Sequence, residues 1–283
     1  MNEVAQYFAV IGNPIAHSKS PEIHVQFAAQ LGIVLRYERV LAPVDGFADT
    51  LDALRAQGLR GCNVTVPFKL DAFAYAHELS ADVRWAGASN TLRFADGTIK
   101  ADNTDGVGLV RDITHNLGVR LHGKSVLLLG AGGAARGVLR PILNEQPARV
   151  VVKNRSLDKA QAWLAEIEQN ADFHEVVGAC ELRVAAWADE VTSEYDVIIN
   201  ATASGLSDAF TPPSGVAFAA NALAYDMMYG KPTAFLAWAR AYGAQTADGW
   251  GMLVEQAARS FHIWHGVAPD TAPLFRRIEQ GGA

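Results

Sequence analysis

The chain has 283 residues, half of them hydrophobic, and its 24 Lys and Arg against 30 Asp and Glu give a formal net charge of −6. That length suggests about two domains at roughly 150 residues each, and the apolar share is far from the composition of a disordered chain. The acidic balance supplies no general field for a phosphate backbone and no local basic patch is visible, which sets nucleic-acid binding aside.

Cys62 and Cys180 belong to no CxxC or Cys/His spacing. They support neither a disulfide framework nor a zinc site, and they fit a reducing compartment. The segment Met1-Asn2-Glu3-Val4 lacks the basic start and apolar run of a signal peptide, and no stretch reaches the roughly 20 apolar residues of a membrane span. The expected location is the cytoplasm, with no membrane partner and no metal.

Tyr7 to Ile11 reads as a buried strand, stopped by the turn formers Gly12-Asn13-Pro14. Ser20-Pro21 looks like an N-cap followed by Pro at the first helical position, and Ile23, Phe27 and Leu31 share one helix face. Leu35 to Leu41 is a second strand; Phe47, Leu51 and Leu54 mark a helix closed by Gly58; Cys62 to Val66 is a third strand broken at Pro67. Thr91 to Phe94 and Thr98 to Lys100 flank Ala95-Asp96-Gly97 as a hairpin.

Ser125 to Leu129 is a continuous apolar strand, Gly130 to Ala134 a glycine turn, Ala135 to Asn144 a helix, and Val150 to Val152 the next strand, together a βαβ unit. Strands at Val197 to Asn200 and Leu223 to Asp226 alternate with helices at Asp158 to Gln169 and Thr233 to Tyr242. Such alternation marks a parallel sheet with helices on its faces. The interval from Ser204 to Gly215, with Pro212-Pro213, reads as a surface loop.

A glycine turn between strand and helix lets the backbone approach a pyrophosphate and sets the anion at the positive end of the helix dipole. The following strand ends at Asn154-Arg155-Ser156, where an acidic residue would read the ribose 2′-OH of NAD. Arg155 instead suits a dianionic 2′-phosphate, with Lys159 as a second charge, and the implied cofactor is NADP(H).

In the first half, His17-Ser18-Lys19-Ser20-Pro21 sets two hydroxyls at a helix start, where they and free backbone N–H groups can bind a carboxylate. Capping by Ser20 would explain one serine and not both. Lys69 follows the strand in Asn63-Val64-Thr65-Val66-Pro67-Phe68-Lys69; a lysine at such a place is more commonly a surface residue, and beside a carboxylate in a partly dry cleft it can instead give a proton to an alkoxide. Asp102-Asn103-Thr104-Asp105-Gly106 supplies carboxylates where the hairpin leads into a helix, and for Asp102 local capping is the better reading.

These segments, with Gly87-Ala88-Ser89-Asn90-Thr91, Asn200-Ala201-Thr202, Tyr225 to Tyr229 and Asp248 to Gln256, resemble the shikimate dehydrogenase family over almost the whole chain and in the same order. The resemblance implies an N-terminal α/β substrate domain plus a Rossmann-type doubly wound NADP-binding domain, with the active-site cleft between them. Residues 1–105 would form the substrate-binding and catalytic domain, completed by 247–283, and 106–246 the NADP-binding domain. It implies a catalytic pair, Lys69 and Asp105, with Asp105 orienting Lys69 and keeping it charged. Ser18, Ser20 and Tyr229 would bind the substrate carboxylate, and Thr65, Asn90, Asp105 and Gln256, beside Lys69, its ring hydroxyls.

Gly130, Ala131, Gly132, Gly133 and Ala134 would hold the pyrophosphate, Asn154, Arg155, Ser156 and Lys159 the adenosine 2′-phosphate, and Met227 and Gly249 would lie by the nicotinamide. The implied reaction is reversible NADPH-dependent reduction of 3-dehydroshikimate to shikimate in the aromatic amino acid (chorismate) pathway, by a monomer or homodimer. Departures from the family pattern are Val25, Ser89, Ser156, Lys159 and Trp250. Two alternatives remain at this point: a quinate/shikimate dehydrogenase with relaxed cofactor or substrate use, and a non-catalytic NADP-binding paralogue.

Overall fold

The computed structural model describes residues 4–190, 193–202 and 210–279. The chain forms two compact units, one running to Gly108 and resuming at Leu253, the other spanning Leu109–Met252. Both transitions fall a few residues beyond the bounds 105/106 and 246/247 that the family resemblance implies. The helices Asp105–Arg111 and Trp250–His265 run through them without a break.

The first unit contains β1 (Gln6–Gly12), α1 (Ser20–Gln30), β2 (Leu35–Leu41), α2 (Phe47–Ala56), β3 (Leu59–Val64), α3 (Lys69–Tyr75), β4 (Glu78–Leu79), α4 (Ala81–Ala86), β5 (Thr91–Ala95), β6 (Thr98–Asp102) and the start of α5 (Asp105–Arg111). Its sheet is ordered β2-β1-β3-β5-β6-β4. β1 pairs in parallel with β2 and β3, while β5 runs antiparallel to β3 and β6. Along β1 the side chains alternate between two cores. Tyr7, Ala9 and Ile11 join Phe47, Leu51 and Phe68 on one face; Phe8 and Val10 join Ile15 and Tyr37 on the other. A strand covered on both faces has no polar side, which is why β1 reads as an unbroken apolar run. The β5–β6 loop is the two residues Asp96 and Gly97, both at positive φ (53° and 73°), the backbone that a tight hairpin needs.

The second unit continues with a short π-type turn at Asp112–Asn116, then β7 (Ser125–Leu129), α6 (Gly133–Asn144), β8 (Arg149–Asn154), α7 (Leu157–Ile167), α8 (Phe173–Val177), β9 (Glu181–Ala186), β10 (Ser193–Asn200), β11 (Val216–Asp226), α9 (Ala234–Ala241) and β12 (Gln245–Ala247). All pairs in this sheet are parallel and the order is β12-β11-β10-β7-β8-β9. The order reverses between β7 and β10, the point at which doubly wound sheets bind ligands. The chain then enters α10 (Trp250–His265) and α11 (Ala272–Glu279).

Two local expectations are corrected. Lys19 occupies the N-cap position of α1 without a side-chain cap bond, so Ser20 is the first helical residue and Pro21 the second. β3 starts three residues earlier than expected and ends at Val64, because Thr65 to Phe68 forms a turn closed by Phe68 N donating to Thr65 O (3.0 Å). Of the loop read at Ser204 to Gly215, residues 204–209 lie outside the described residues, and Phe210–Pro213 has no regular structure. Among the described residues no helix is long and apolar enough to cross a membrane.

Candidate active site

In the first unit, β1, β3 and β6 run in one direction and β5 in the other. The connections after β1, β3 and β6 and the one entering β5 therefore emerge at a single sheet edge, and these four connections carry the polar motifs singled out above. Gly12 makes two of them meet: a Cβ there would lie 2.5 Å from Thr65 Cγ2, so only glycine allows this approach. Asn13 N donates to Val66 O (3.0 Å) and Thr65 N to Ile11 O (2.9 Å), closing the contact.

Lys69 opens α3, and its carbonyl accepts from Ser89 N (2.9 Å). Its ammonium donates to Asp105 Oδ2 at 2.5 Å, with the two side chains 24% and 10% exposed. A pair this sheltered is screened less than a surface pair while still within reach of a small molecule. Asp105 opens α5, its N–H held by Asn103 Oδ1 (3.2 Å). That bond is the local cap. Asp102, expected to cap, instead ends β6 and offers its carbonyl to Ser89 Oγ (2.9 Å) and Asn90 N (3.3 Å). Burial raises the pKa of its carboxyl.

Asn90 is the hub of the site. Its amide donates to Asp105 Oδ1 (2.9 Å), Thr104 Oγ1 (3.0 Å) and Gln256 Oε1 (3.3 Å), and its Oδ1 accepts from Thr104 N (2.8 Å) and Thr91 Oγ1 (2.9 Å). With one carboxylate oxygen occupied by Asn90, the other is turned to Lys69. Gln256, on α10, also accepts from Thr104 Oγ1 (3.2 Å). Ser18 and Ser20 lie together at the start of α1, Ser18 Oγ donating to Ser20 Oγ (3.2 Å) and accepting from Ser20 N (3.3 Å). Arg39 holds this turn through Ser18 O (2.8 Å).

A second layer was not identified as part of the site from sequence. Asn63 donates to Ser260 Oγ (3.0 Å) and Thr91 Oγ1 (3.1 Å), and its Oδ1 accepts from Tyr37 OH (2.7 Å) and His24 Nε2 (3.2 Å). His24 stacks on Tyr37 with ring centres 4.4 Å apart. Burial pushes its pKa down to about 3, so the imidazole is neutral and its Nε2–H serves Asn63. The available signal was polarity at strand and helix positions that should be apolar: Asn63 within β3, His24 and Ser260 on buried helix faces.

In the second unit Gly130 follows β7 at φ +107°, and a Cβ there would crowd Ala201 O at 3.2 Å. Gly132 and Gly133 face open space, and α6 begins at Gly133 with no acidic side chain in its first turn. Its free N–H groups and dipole thus face room for a phosphate. A cavity of about 490 Å³ opens here, walled by Gly130–Gly132, Asn154–Ser156, Lys159, Trp187 and Ala201–Thr202. Gly133 and Ala134 lie just beyond it in α6. Arg136 is turned to Glu166 (2.9 Å) and is not among the walls.

Met227 and Gly249 belong to this unit but not to that cavity. A Cβ on Gly249 would lie 2.3 Å from Met227 O, so the two strand ends touch backbone to backbone. Tyr229 sits near them, edge-on to Trp250 at 6.3 Å. Asp226, fully buried, fixes the turn by accepting from Thr233 Oγ1 (2.5 Å) and Met228 N (3.0 Å). The glycine cradle, the bare helix start and the paired cations Arg155 and Lys159 fit a dinucleotide carrying a 2′-phosphate.

A parallel sheet of order β9-β8-β7-β10-β11-β12, with a glycine turn after its central strand, defines a dinucleotide-binding unit of Rossmann type. In this chain it is accompanied by a second α/β unit bearing a Lys–Asp pair. Residues 10–92 match the family model described as shikimate dehydrogenase substrate binding domain, 112–207 that of shikimate / quinate 5-dehydrogenase, and 249–274 that of shikimate 5′-dehydrogenase C-terminal domain. The shikimate dehydrogenase (NADP(+)) of Methylobacillus flagellatus is 54% identical over 273 residues, covering 96% of this chain and 98% of that relative. Among solved structures, an Ael1 enzyme from Pseudomonas putida aligns with a TM-score of 0.86 at 40% identity, covering 96% of this chain and 98% of that one. The shikimate 5-dehydrogenase of Thermus thermophilus, in complex with shikimate, aligns with a TM-score of 0.80 at 30% identity, covering 97% and 98%. The chain belongs to the shikimate dehydrogenase family.

Proposed function

We propose that this chain is an NADP-dependent oxidoreductase that interconverts 3-dehydroshikimate and shikimate, consuming NADPH and a proton in the reducing direction. The observation that carries the reading is the Lys69–Asp105 pair, 2.5 Å apart and locked by Asn90, at the edge of the substrate-type unit. When bound, NADPH supplies the hydride. Lys69 then meets the negative charge that develops on the C3 oxygen, stabilises it and hands over the proton. Asp105 holds the ammonium in position through Oδ2, and Asn90 prevents the carboxylate from rotating away.

Ser18 and Ser20, with the open start of α1, receive the substrate carboxylate, aided by Tyr229. Thr65, Asn90, Asp105 and Gln256 hold the ring hydroxyls and so fix which carbon faces the hydride. Gly130 to Ala134 hold the pyrophosphate, Met227 and Gly249 flank the nicotinamide, and Asn154 to Ser156 with Lys159 read the 2′-phosphate. A carboxylate at that last position would favour NAD; Arg155 disfavours it. The enzyme acts in the cytoplasm, as a monomer or homodimer.

The matched model for 112–207 names quinate beside shikimate, so the test sets the two side by side. Following absorbance at 340 nm, kcat/KM should be highest for shikimate with NADP⁺, lower by about 10² or more when NAD⁺ replaces it, as for loss of a charge-assisted contact. Equal or better turnover of quinate, or preference for NAD⁺, would move the assignment to the relaxed dehydrogenase. Cofactor binding without turnover of either substrate would make the protein a binding paralogue.

A further inference from the structure

The geometry points to Trp187 as a cofactor-positioning residue that holds the Arg155 guanidinium ready for the adenosine 2′-phosphate. The inference rests on the NADP reading above and deepens it. Trp187 directly follows β9, and its N–H donates to Asn154 O (3.1 Å), which sets it beside the Asn154-Arg155-Ser156 turn at the wall of the cavity. Arg155 Cζ lies 5.9 Å from the indole centre, within the range of a cation–π contact.

The indole is held independently of Arg155. Its Nε1–H donates to Thr211 O (3.1 Å), and the Trp187 carbonyl accepts from Ser214 N (3.0 Å). Lys153, only 2% exposed, ties the same two connections together by donating to Ser214 O (2.5 Å) and Asp189 O (2.8 Å). Phe210 packs edge-on against the ring at 6.3 Å. Arg155, by contrast, is exposed, and a solvated arginine has many rotamers to lose on binding. A fixed indole with its centre 5.9 Å from the guanidinium carbon removes some of them in advance, while the N–H donors still serve phosphate oxygens. NAD has no 2′-phosphate, so this positioning favours only NADP.

The test compares wild type, Trp187→Ala, Trp187→Phe, Arg155→Ala and the Trp187→Ala/Arg155→Ala double variant. Calorimetry with NADP⁺ and NAD⁺ accompanies steady-state kinetics with shikimate. Trp187→Ala should weaken NADP⁺ about five- to tenfold, raising its KM by the same factor, with kcat at saturation and NAD⁺ affinity within about twofold. Trp187→Phe, which keeps a ring face, should restore most of the loss. In the Arg155→Ala background Trp187→Ala should cost nothing further, because the two act as a unit. Equal weakening of both cofactors, or a loss that persists without Arg155, would overturn the role of Trp187. Failure of wild type to bind NADP⁺ would overturn the cofactor reading beneath it, whereas tight NADP⁺ binding unchanged in Trp187→Ala would remove the inference alone.

Discussion

Replacing Lys69 by alanine removes the ammonium that lies 2.5 Å from Asp105 Oδ2 and leaves the carboxylate with Asn90 as partner. Two effects follow and are separable. A positioned general acid contributes about 10² to 10⁴ in rate, or about 2.7 to 5.4 kcal/mol of barrier at 1.36 kcal/mol per decade. Loss of the ion pair also costs stability. Surface pairs are worth about 0–1 kcal/mol and breaking fully buried ones costs about 3–5 kcal/mol; with side chains 24% and 10% exposed, this pair falls between, at about 1–2 kcal/mol. Steady-state rates with shikimate and NADP⁺, with urea unfolding of the same preparations, measure both. The expected variant stays folded at assay temperature, its kcat falls by about 10² or more, and its KM for shikimate changes by less than about fivefold. A kcat within about threefold of wild type would refute the proton-donor role of Lys69. A fall in kcat that tracked the fraction unfolded would refute it as well.

Ser18→Ala combined with Ser20→Ala should raise the KM for shikimate by about tenfold or more and leave kcat nearly unchanged, the signature of lost ground-state binding to a charged group; a fall in kcat alone would contradict it. Gly249→Ala drives a Cβ to within 2.3 Å of Met227 O. Because that contact is backbone on backbone, urea unfolding should show a loss of about 1–3 kcal/mol together with weaker NADPH binding, and unchanged stability would count against the packing argument. His24 has its pKa depressed from 6.5 to about 3. Its stabilising contribution is therefore complete above pH 6.5 and lost as pH falls towards 3, by about 2.7 kcal/mol between pH 7.5 and 4.5. His24→Phe should flatten the wild-type dependence of unfolding free energy on pH by roughly that amount, and an unaltered slope would exclude His24 as its source.

Local chemistry was legible wherever one residue's own backbone or solvation preference decided the outcome. Strands β1, β7 and β8 were readable because both faces of each are covered, and covered strands carry no polar alternation. Gly97 gave away the hairpin, and Gly130 the turn that leads into α6. The short elements were not legible. β4 has two residues and α4 six, too few for any hydrophobic period to register. Ser20 looked like a cap because Ser-Pro commonly begins helices, yet the hydroxyl of Ser18 takes up Ser20 N and the helix starts one residue earlier than a serine cap would set it.

The types of group in the site, a lysine after β3, a carboxylate opening α5, paired serines at the start of α1 and an arginine after β8, follow from the sequence alone, since each sits beside an element whose end is marked by proline, glycine or a break in apolar periodicity. Which of them touch was decided only by the tertiary structure. Asn63 and Ser260 are 197 positions apart and share a hydrogen bond, as do Asn90 and Gln256 across 166 positions. Trp187 reaches Arg155 because β9 pairs with β8 in one particular register. Residue preference governs short stretches through backbone sterics and burial. Contacts between distant segments depend on sheet order and register, which arise from the packing of all strands together and are written in no single stretch of the chain.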